Sequence, residues 1–338
     1  MQYDIAVIGN DEAAFEMLRL AARSGKRTAA VLPESCHSSW MVGLALKRLV
    51  SDLLLDQSMP RRRMLERTGS PRLLRQLLAA AVGRETSDHM DILERLNVDV
   101  KMGQPRFVDR NTLCISDGRT CRRSTVAARH FVIGTGVRPT AMHRPLGLVA
   151  LHRPEALFEG MVLPNSLCVV GGGSLGCGMA ALFALFGVRS QHVARDDQND
   201  ALLELARAAG VEVAFHPSEF GLTHVGGVLS AKHTAVIDSR RAVGFTEHLN
   251  LAAIDVEADE NGQLWCSSGF ETWCPGIFGI GSVVGFSPDM ALHPSVQAER
   301  IQRRITRLIP RPLLMDVCIA SEQRASNPHR TAVSTINN

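Results

Sequence analysis

Leu167-Cys168-Val169-Val170-Gly171-Gly172-Gly173-Ser174-Leu175-Gly176 decides the fold. Four apolar residues run into G-x-G-x-x-G, and a second apolar run follows from Cys177 to Val188. In this context the first glycine makes a tight turn, the second lets a pyrophosphate approach the backbone, and the third lets the helix pack close to the strand. The positive end of the helix then receives the phosphate. Cys168–Val188 also contains no charged residue over 21 positions, which is long enough to span a bilayer. Five glycines in its first half argue against a continuous helix, because each costs up to ~1 kcal/mol relative to Ala. The stretch therefore reads as strand, glycine turn and buried helix: a dinucleotide loop, with a plain structural turn as the alternative.

The pattern repeats along the chain. Tyr3–Ile8 reads as a strand, Asp11–Ser24 as a helix and Arg27–Leu32 as a strand. Ser166–Val170, Ser174–Phe186 and Arg189–Ala194 follow the same order, and Ala201–Ala209 and Val211–Phe215 add a helix and a strand. Between the two units lie helical stretches at Trp40–Leu55 and from Pro71 to about Leu96, then strands at Val98–Val100, Arg106–Val108, Thr112–Ile115 and Thr125–Ile133. Gly276–Gly281 reads as a late strand, Asp289–Leu308 as a helix, and the polar residues from Ile309 as a poorly ordered tail. Two βαβ units in one chain predict an α/β protein with two parallel sheets.

Composition sets the outer bounds. The 338 residues amount to about two domains. They are 45% apolar and 21% charged, which excludes disorder or a fibrous repeat for the bulk of the chain. A net charge of +3 excludes recognition of nucleic acid or an anionic membrane by bulk charge. Arg61-Arg62-Arg63 reads as a solvated helix face. The eight cysteines contain no C-x-x-C pair and no zinc-ligand spacing, and the N-terminus is a strand rather than a signal peptide. The expectation is a cytoplasmic protein with reduced thiols and no metal.

The strand end after the second loop selects the nucleotide. The position where an acid would hold a ribose 2′-hydroxyl is Ala194, with Arg195 beside it. An Arg without a carboxylate favours a 2′-phosphate, hence NADP(H) over NAD(H). Alternatively Arg195 is a surface residue, and Asp196 or Asp197 takes the ribose.

The first loop, Gly9-Asn10-Asp11-Glu12-Ala13-Ala14, departs from the pattern. Only Gly9 stands; Asp11 occupies the close-approach position, and Leu32 occupies the position of the ribose acid. A carboxylate about 4 Å from a phosphate costs on the order of 4 kcal/mol at an effective dielectric of 20, nearly a thousandfold in affinity. Asp11 is also a good helix N-cap. On one reading the chain supplies its own anion to a helix end that elsewhere receives one from a cofactor, which would leave the first site empty; on the other, the remaining contacts still hold FAD.

Four motifs in order resemble the flavoprotein pyridine nucleotide–disulfide oxidoreductases, most closely the soluble transhydrogenase branch. They are Tyr3–Gly9, His130–Pro139 with its Gly134-Thr135-Gly136 turn, Gly171–Gly176, and Glu271–Gly285. The resemblance implies two interleaved Rossmann-like domains. Residues 1–150 and 271–308 would form a FAD-type domain, residues 151–270 an NAD(P)H-type domain, and 309–338 the tail. It also implies an oxidoreductase in which NAD(P)H reduces FAD. Gly171, Gly173, Gly176 and Arg195 would hold NADP(H), and Gly9, Thr135, Gly136, Gly281 and Ser282 would line the FAD.

The departures bear mainly on the flavin and thiol chemistry. Ser282 stands where the family has a flavin-binding Asp. Cys36 has no partner five residues on, since Met41 is there, so disulfide reduction is not expected. Cys36, Lys47 and His293 are the candidates for a catalytic group, with a capping or packing role as the alternative for His293. The expectation from the resemblance is a chain without the family's C-terminal interface domain, which gives the family its dimer and its acid–base pair. The expected function is a transhydrogenase-like, FAD-dependent oxidoreductase that takes hydride from NAD(P)H and whose acceptor is unread; the alternative is a non-enzymatic member that binds NADP(H) without FAD, as a sensor or partner subunit. The oligomeric state stays open.

Overall fold

The computed structural model describes residues 2–33, 39–55, 71–118, 123–139, 150–152, 163–171, 173–195, 200–216, 234–238 and 242–307. The expected tail from residue 309 and the candidate Cys36 lie outside them.

The first unit starts with β1 (Gln2–Ile8), α1 (Glu12–Arg23) and β2 (Thr28–Leu32). Helix α1 forms because Asp11 caps its first turn and its small or apolar residues fall on one face. Ala13, Ala14, Met17, Leu18 and Ala21 are all buried. Helices α2 (Ser39–Leu55) and α3 (Pro71–Arg95) follow. Then come β3 (Asp99–Met102), β4 (Gln104–Asp109), β5 (Thr112–Ser116) and the long β6 (Arg123–Ile133). Strand β6 joins two kinds of sheet. Its first half pairs antiparallel with β5, and its second half pairs parallel with β1. The same end of β6 also pairs parallel with a late strand, Ile277–Gly279.

The second unit begins after a two-stranded antiparallel ribbon formed by β7 (Val137–Pro139) and a returning strand, Ala242–Gly244. Beyond β8 (Ala150–His152), β9 (Ser166–Val170) leads into α4 (Gly173–Leu185), β10 (Arg189–Arg195), α5 (Asp200–Ala208), β11 (Glu212–His216) and β12 (Ala235–Asp238). The five strands form one sheet in the order β11-β10-β9-β12-β8, parallel throughout. The charge-free run at 168–188 is thus β9, the turn and α4, and among the described residues no helix is long and apolar enough to cross a membrane.

The returning ribbon strand is β13 (Ala242–Gly244), followed by β14 (Leu264–Trp265), β15 (Ile277–Gly279), β16 (Val284–Phe286) and α6 (Pro294–Arg307). Two late elements differ from expectation. The strand is only Ile277–Gly279, because Gly281–Val283 turns as a 3-10 helix. Helix α6 starts at Pro294 rather than Asp289, since proline suits the first helical position and the preceding residues form turns. Leu249, Ile254, Val256, Leu264 and Phe270 pack into the core of the first sheet. The expected boundary at residue 270 falls inside this core.

A second core joins the two units. Leu46, Leu49 and Val50 of α2, and Leu74, Leu78 and Val82 of α3, pack with Met179, Leu182 and Phe183 of α4. Two glycines allow close approach. A Cβ on Gly43 would lie 2.7 Å from Ser174 Oγ, and a Cβ on Gly178 would lie 2.6 Å from Leu46 Cβ. Gly178→Val should therefore push α2 off α4 and lower stability by about 1–3 kcal/mol. In urea denaturation the midpoint should fall at unchanged slope.

Candidate functional site: two glycine cradles

The two loops lie at equivalent places, each between the first strand and first helix of its unit, at the carboxyl ends of a parallel sheet. Open α/β sheets bind their ligands at such places. Their geometry differs sharply.

In the second cradle, Gly171 turns with φ +69° and donates its N–H to the Val193 carbonyl. Gly176 packs so closely that a Cβ would collide with the Gly171 carbonyl oxygen. Gly173 is exposed, and a Cβ there would meet nothing within 4 Å. The loop is tight where helix meets strand and open where a phosphate would approach. Helix α4 begins on Gly173, which has no side chain with which to cap it. Residues fitting a dinucleotide phosphate are therefore present. Arg195 ends β10 in the expected place; its side chain lies outside the described set, as do Asp196 and Asp197.

The first cradle is occupied by its own residues. Gly9 fits so tightly that a Cβ would strike the Gly134 carbonyl oxygen. Asp11 is buried, and its Oδ1 accepts the Ala14 N–H at 2.8 Å. Its other oxygen faces Gly281, where a Cβ would lie 2.5 Å from Oδ2. A Cβ on Gly136 would lie 3.3 Å from Asp11 Cβ and 3.6 Å from Ser282 Oγ. Gly136, Gly281 and Ser282 thus converge with Asp11, four of the residues expected to line one site. Burial pushes the Asp11 carboxyl up to about 7; the Ala14, Ser282 and Ala13 amides oppose the rise and the Glu12 charge adds to it.

Gln297 of α6 was not singled out from sequence. It is 5% exposed; its Oε1 accepts the Gly281 N–H at 2.9 Å, and its Nε2 donates to the Leu292 carbonyl at 2.8 Å. Nothing short of the fold brings residue 297 to residue 281 and residue 11. Thr135 Oγ1 is the contrary feature, buried with no hydrogen-bond partner.

An adenosine on this loop would lie toward Leu32. The cavity there, beside Gly9 and Asn10, measures about 30 Å³, room for a few waters. Phe15, Trp40 and His89 fill it from the sides, with ring centroids 4.4 Å apart for Phe15–His89 and 5.2 Å for Trp40–His89. As folded, the first cradle does not fit FAD: a carboxyl stands at the diphosphate position and an aromatic cluster at the nucleoside end. Lys47 is solvent-exposed on α2. His293 is the residue before α6, where its carbonyl accepts the Val296 N–H and its Nδ1 lies 2.9 Å from Ser295 Oγ. Among the described residues, no group of His, Cys, Asp and Glu could hold a metal, and Cys114, Cys168, Cys177, Cys266 and Cys274 form no disulfide.

This architecture, two glycine-loop units with one inserted into the other through a ribbon, defines a two-domain dinucleotide-binding protein. The chain belongs to the pyridine nucleotide–disulphide oxidoreductase family, whose sequence pattern matches residues 3–306. That family is one of pyridine nucleotide-dependent flavoprotein oxidoreductases. A soluble pyridine nucleotide transhydrogenase of Marinomonas sp. (strain MWYL1) is 25% identical over 322 residues, covering 86% of this chain and 68% of that one. Its counterpart in Mycobacterium bovis (strain BCG / Pasteur 1173P2) is 26% identical over 321 residues, covering 84% and 67%. Among solved structures, the HOCl-induced flavoprotein disulfide reductase RclA of Escherichia coli shares the fold. Its TM-score is 0.58 at 17% identity, covering 92% of this chain and 72% of that one.

The raised carboxyl predicts a pH signature. Asp11 titrates near 3.8 when unfolded and near about 7 when folded, so the folded state holds its proton more tightly. The stability contribution is full below about pH 4 and is lost as pH rises through about 7, by on the order of 4 kcal/mol. Asp11→Asn should erase this dependence. In urea denaturation the variant should gain on the wild-type protein between about pH 4 and about pH 7.

Proposed function

We propose that this chain binds a nicotinamide dinucleotide at the 171–176 loop, NADP(H) in preference to NAD(H), and acts through that binding as a nucleotide-responsive sensor or partner subunit of transhydrogenase-like descent. The observation that carries this reading is the contrast between the cradles: Gly173 opens on empty space, while the equivalent position of the first loop is filled by the buried Asp11. The open loop offers backbone amides to a pyrophosphate at a helix N-terminus. Arg195, with no acid at Ala194, supports a 2′-phosphate over a hydroxyl. Disulfide reduction is not part of the proposal, because it needs two thiols and Cys36 has no partner at Met41. The five described cysteines form no disulfide, which is compatible with a cytoplasmic setting.

A second reading keeps the family chemistry, with hydride passing from the nicotinamide to FAD. The orphaned Thr135 hydroxyl favours it, since a ligand atom in the first cradle would satisfy it. In that case the protein would contribute the positioning of two rings rather than a thiol.

Titration calorimetry with NADPH and NADH tests the main reading. NADPH should bind, and Arg195→Ala should weaken NADPH by about tenfold while leaving NADH unchanged. Gly173→Asp would place a carboxylate about 4 Å from the phosphate and should cost up to about a thousandfold. If neither nucleotide binds the wild-type protein, the proposal fails.

A further inference from the structure

We infer that the first cradle is a latent diphosphate site held shut by two internal acceptors, Asp11 and Gln297. This rests on the reading of the first cradle above and assigns the parts of its seal. A diphosphate bound on such a loop is held by backbone N–H groups at a helix start and by those of the segments facing it. Here the donors already have acceptors. Asp11 takes the Ala14 amide, and the Ala13 and Ser282 amides face the same carboxyl and favour its charged form. Gln297 takes the Gly281 amide, and the open side of the Gly281 α-carbon, where a Cβ would stand, is filled by Asp11 Oδ2. A ligand would have to displace both side chains and recover no donor that they had not already satisfied. Each exchange would replace one hydrogen bond by another with little net gain.

The seal is built from distant parts of the chain. Gln297 is buried on α6 and anchored by two further bonds, to the Met290 and Leu292 carbonyls. It is therefore held in place when it meets Gly281. Asp11 is equally fixed, as the N-cap of α1. The obstruction is occupancy of space and donors, and it persists whichever protonation state the carboxyl takes. The ligand class it excludes is the ADP moiety of a dinucleotide.

The seal predicts a difference between two substitutions. Asp11→Ser keeps an N-cap but removes the carboxyl from the Gly136–Gly281 face, whereas Asp11→Asn keeps the shape and removes the charge. The full chain would be purified, checked by thermal melting, scanned near 450 nm and titrated with FAD and with ADP. The wild-type protein should be colourless and take up neither. The Ser variant should bind ADP or FAD at least about tenfold more tightly than the Asn variant, which should match the wild type.

Stoichiometric FAD in the wild-type protein would overturn the seal and the sensor reading together. A colourless wild type with equal gains in both variants would assign the block to charge and overturn the occupancy argument alone. No gain in either variant would overturn the role of Asp11. NADPH binding at the second loop is measured separately and survives any of these outcomes.

Discussion

Amides at the first turn of a helix have no partner within the helix and must find an acceptor. This protein meets that constraint twice, with opposite solutions. Helix α1 begins after a side chain that can accept, and Asp11 accepts. Helix α4 begins on a glycine that cannot. Both units share the strand–loop–helix–strand plan, and both helices lie on the carboxyl side of a parallel sheet. The difference in what they can bind comes down to one side chain at the close-approach position and the glutamine that supports it.

The energetic cost of the internal solution is visible in the same residue. Three amides favour the Asp11 carboxylate, yet burial outweighs them and holds the carboxyl well above its ordinary range. A cofactor diphosphate brings two charges and keeps part of its surface in water; a side chain of the protein brings one carboxyl and is enclosed by Gly136, Gly281 and Ser282. The seal is stable because Gln297 removes the remaining donor from competition, so the carboxyl need not satisfy the whole cradle alone.

Much of this was legible in the sequence where the signal is local. Both βαβ openings follow from apolar runs punctuated by glycine, and Asp11 stands out because it breaks a pattern whose physical reason is known. What was not legible depends on distant contacts. Gln297 meets Gly281 only because α6 folds back on the first unit. The Phe15–Trp40–His89 cluster joins three helices and has no periodic signature. The short strands β7, β8, β12 and β13 are set by pairing across the insertion, at three or four residues each too brief for alternation to register. Helix α6 begins later than its sequence suggests, because Asp289–His293 contains no glycine or proline to mark a break, while Pro294 sets the first turn.

The contact between the two units ties the second loop to the first. The first unit approaches that loop through α2. There the facing residues are Gly43 and Leu46, packed directly on Ser174 and Gly178. Leu46 and Gly43 are buried, while Lys47, the next residue along, turns outward to solvent. The crossing is close and glycine-mediated. It couples α2 mechanically to the helix whose N-terminus would hold a nucleotide phosphate. The same two helices, α2 and α3, carry Trp40 and His89 of the aromatic cluster beside the first cradle, so one packed layer borders both loops.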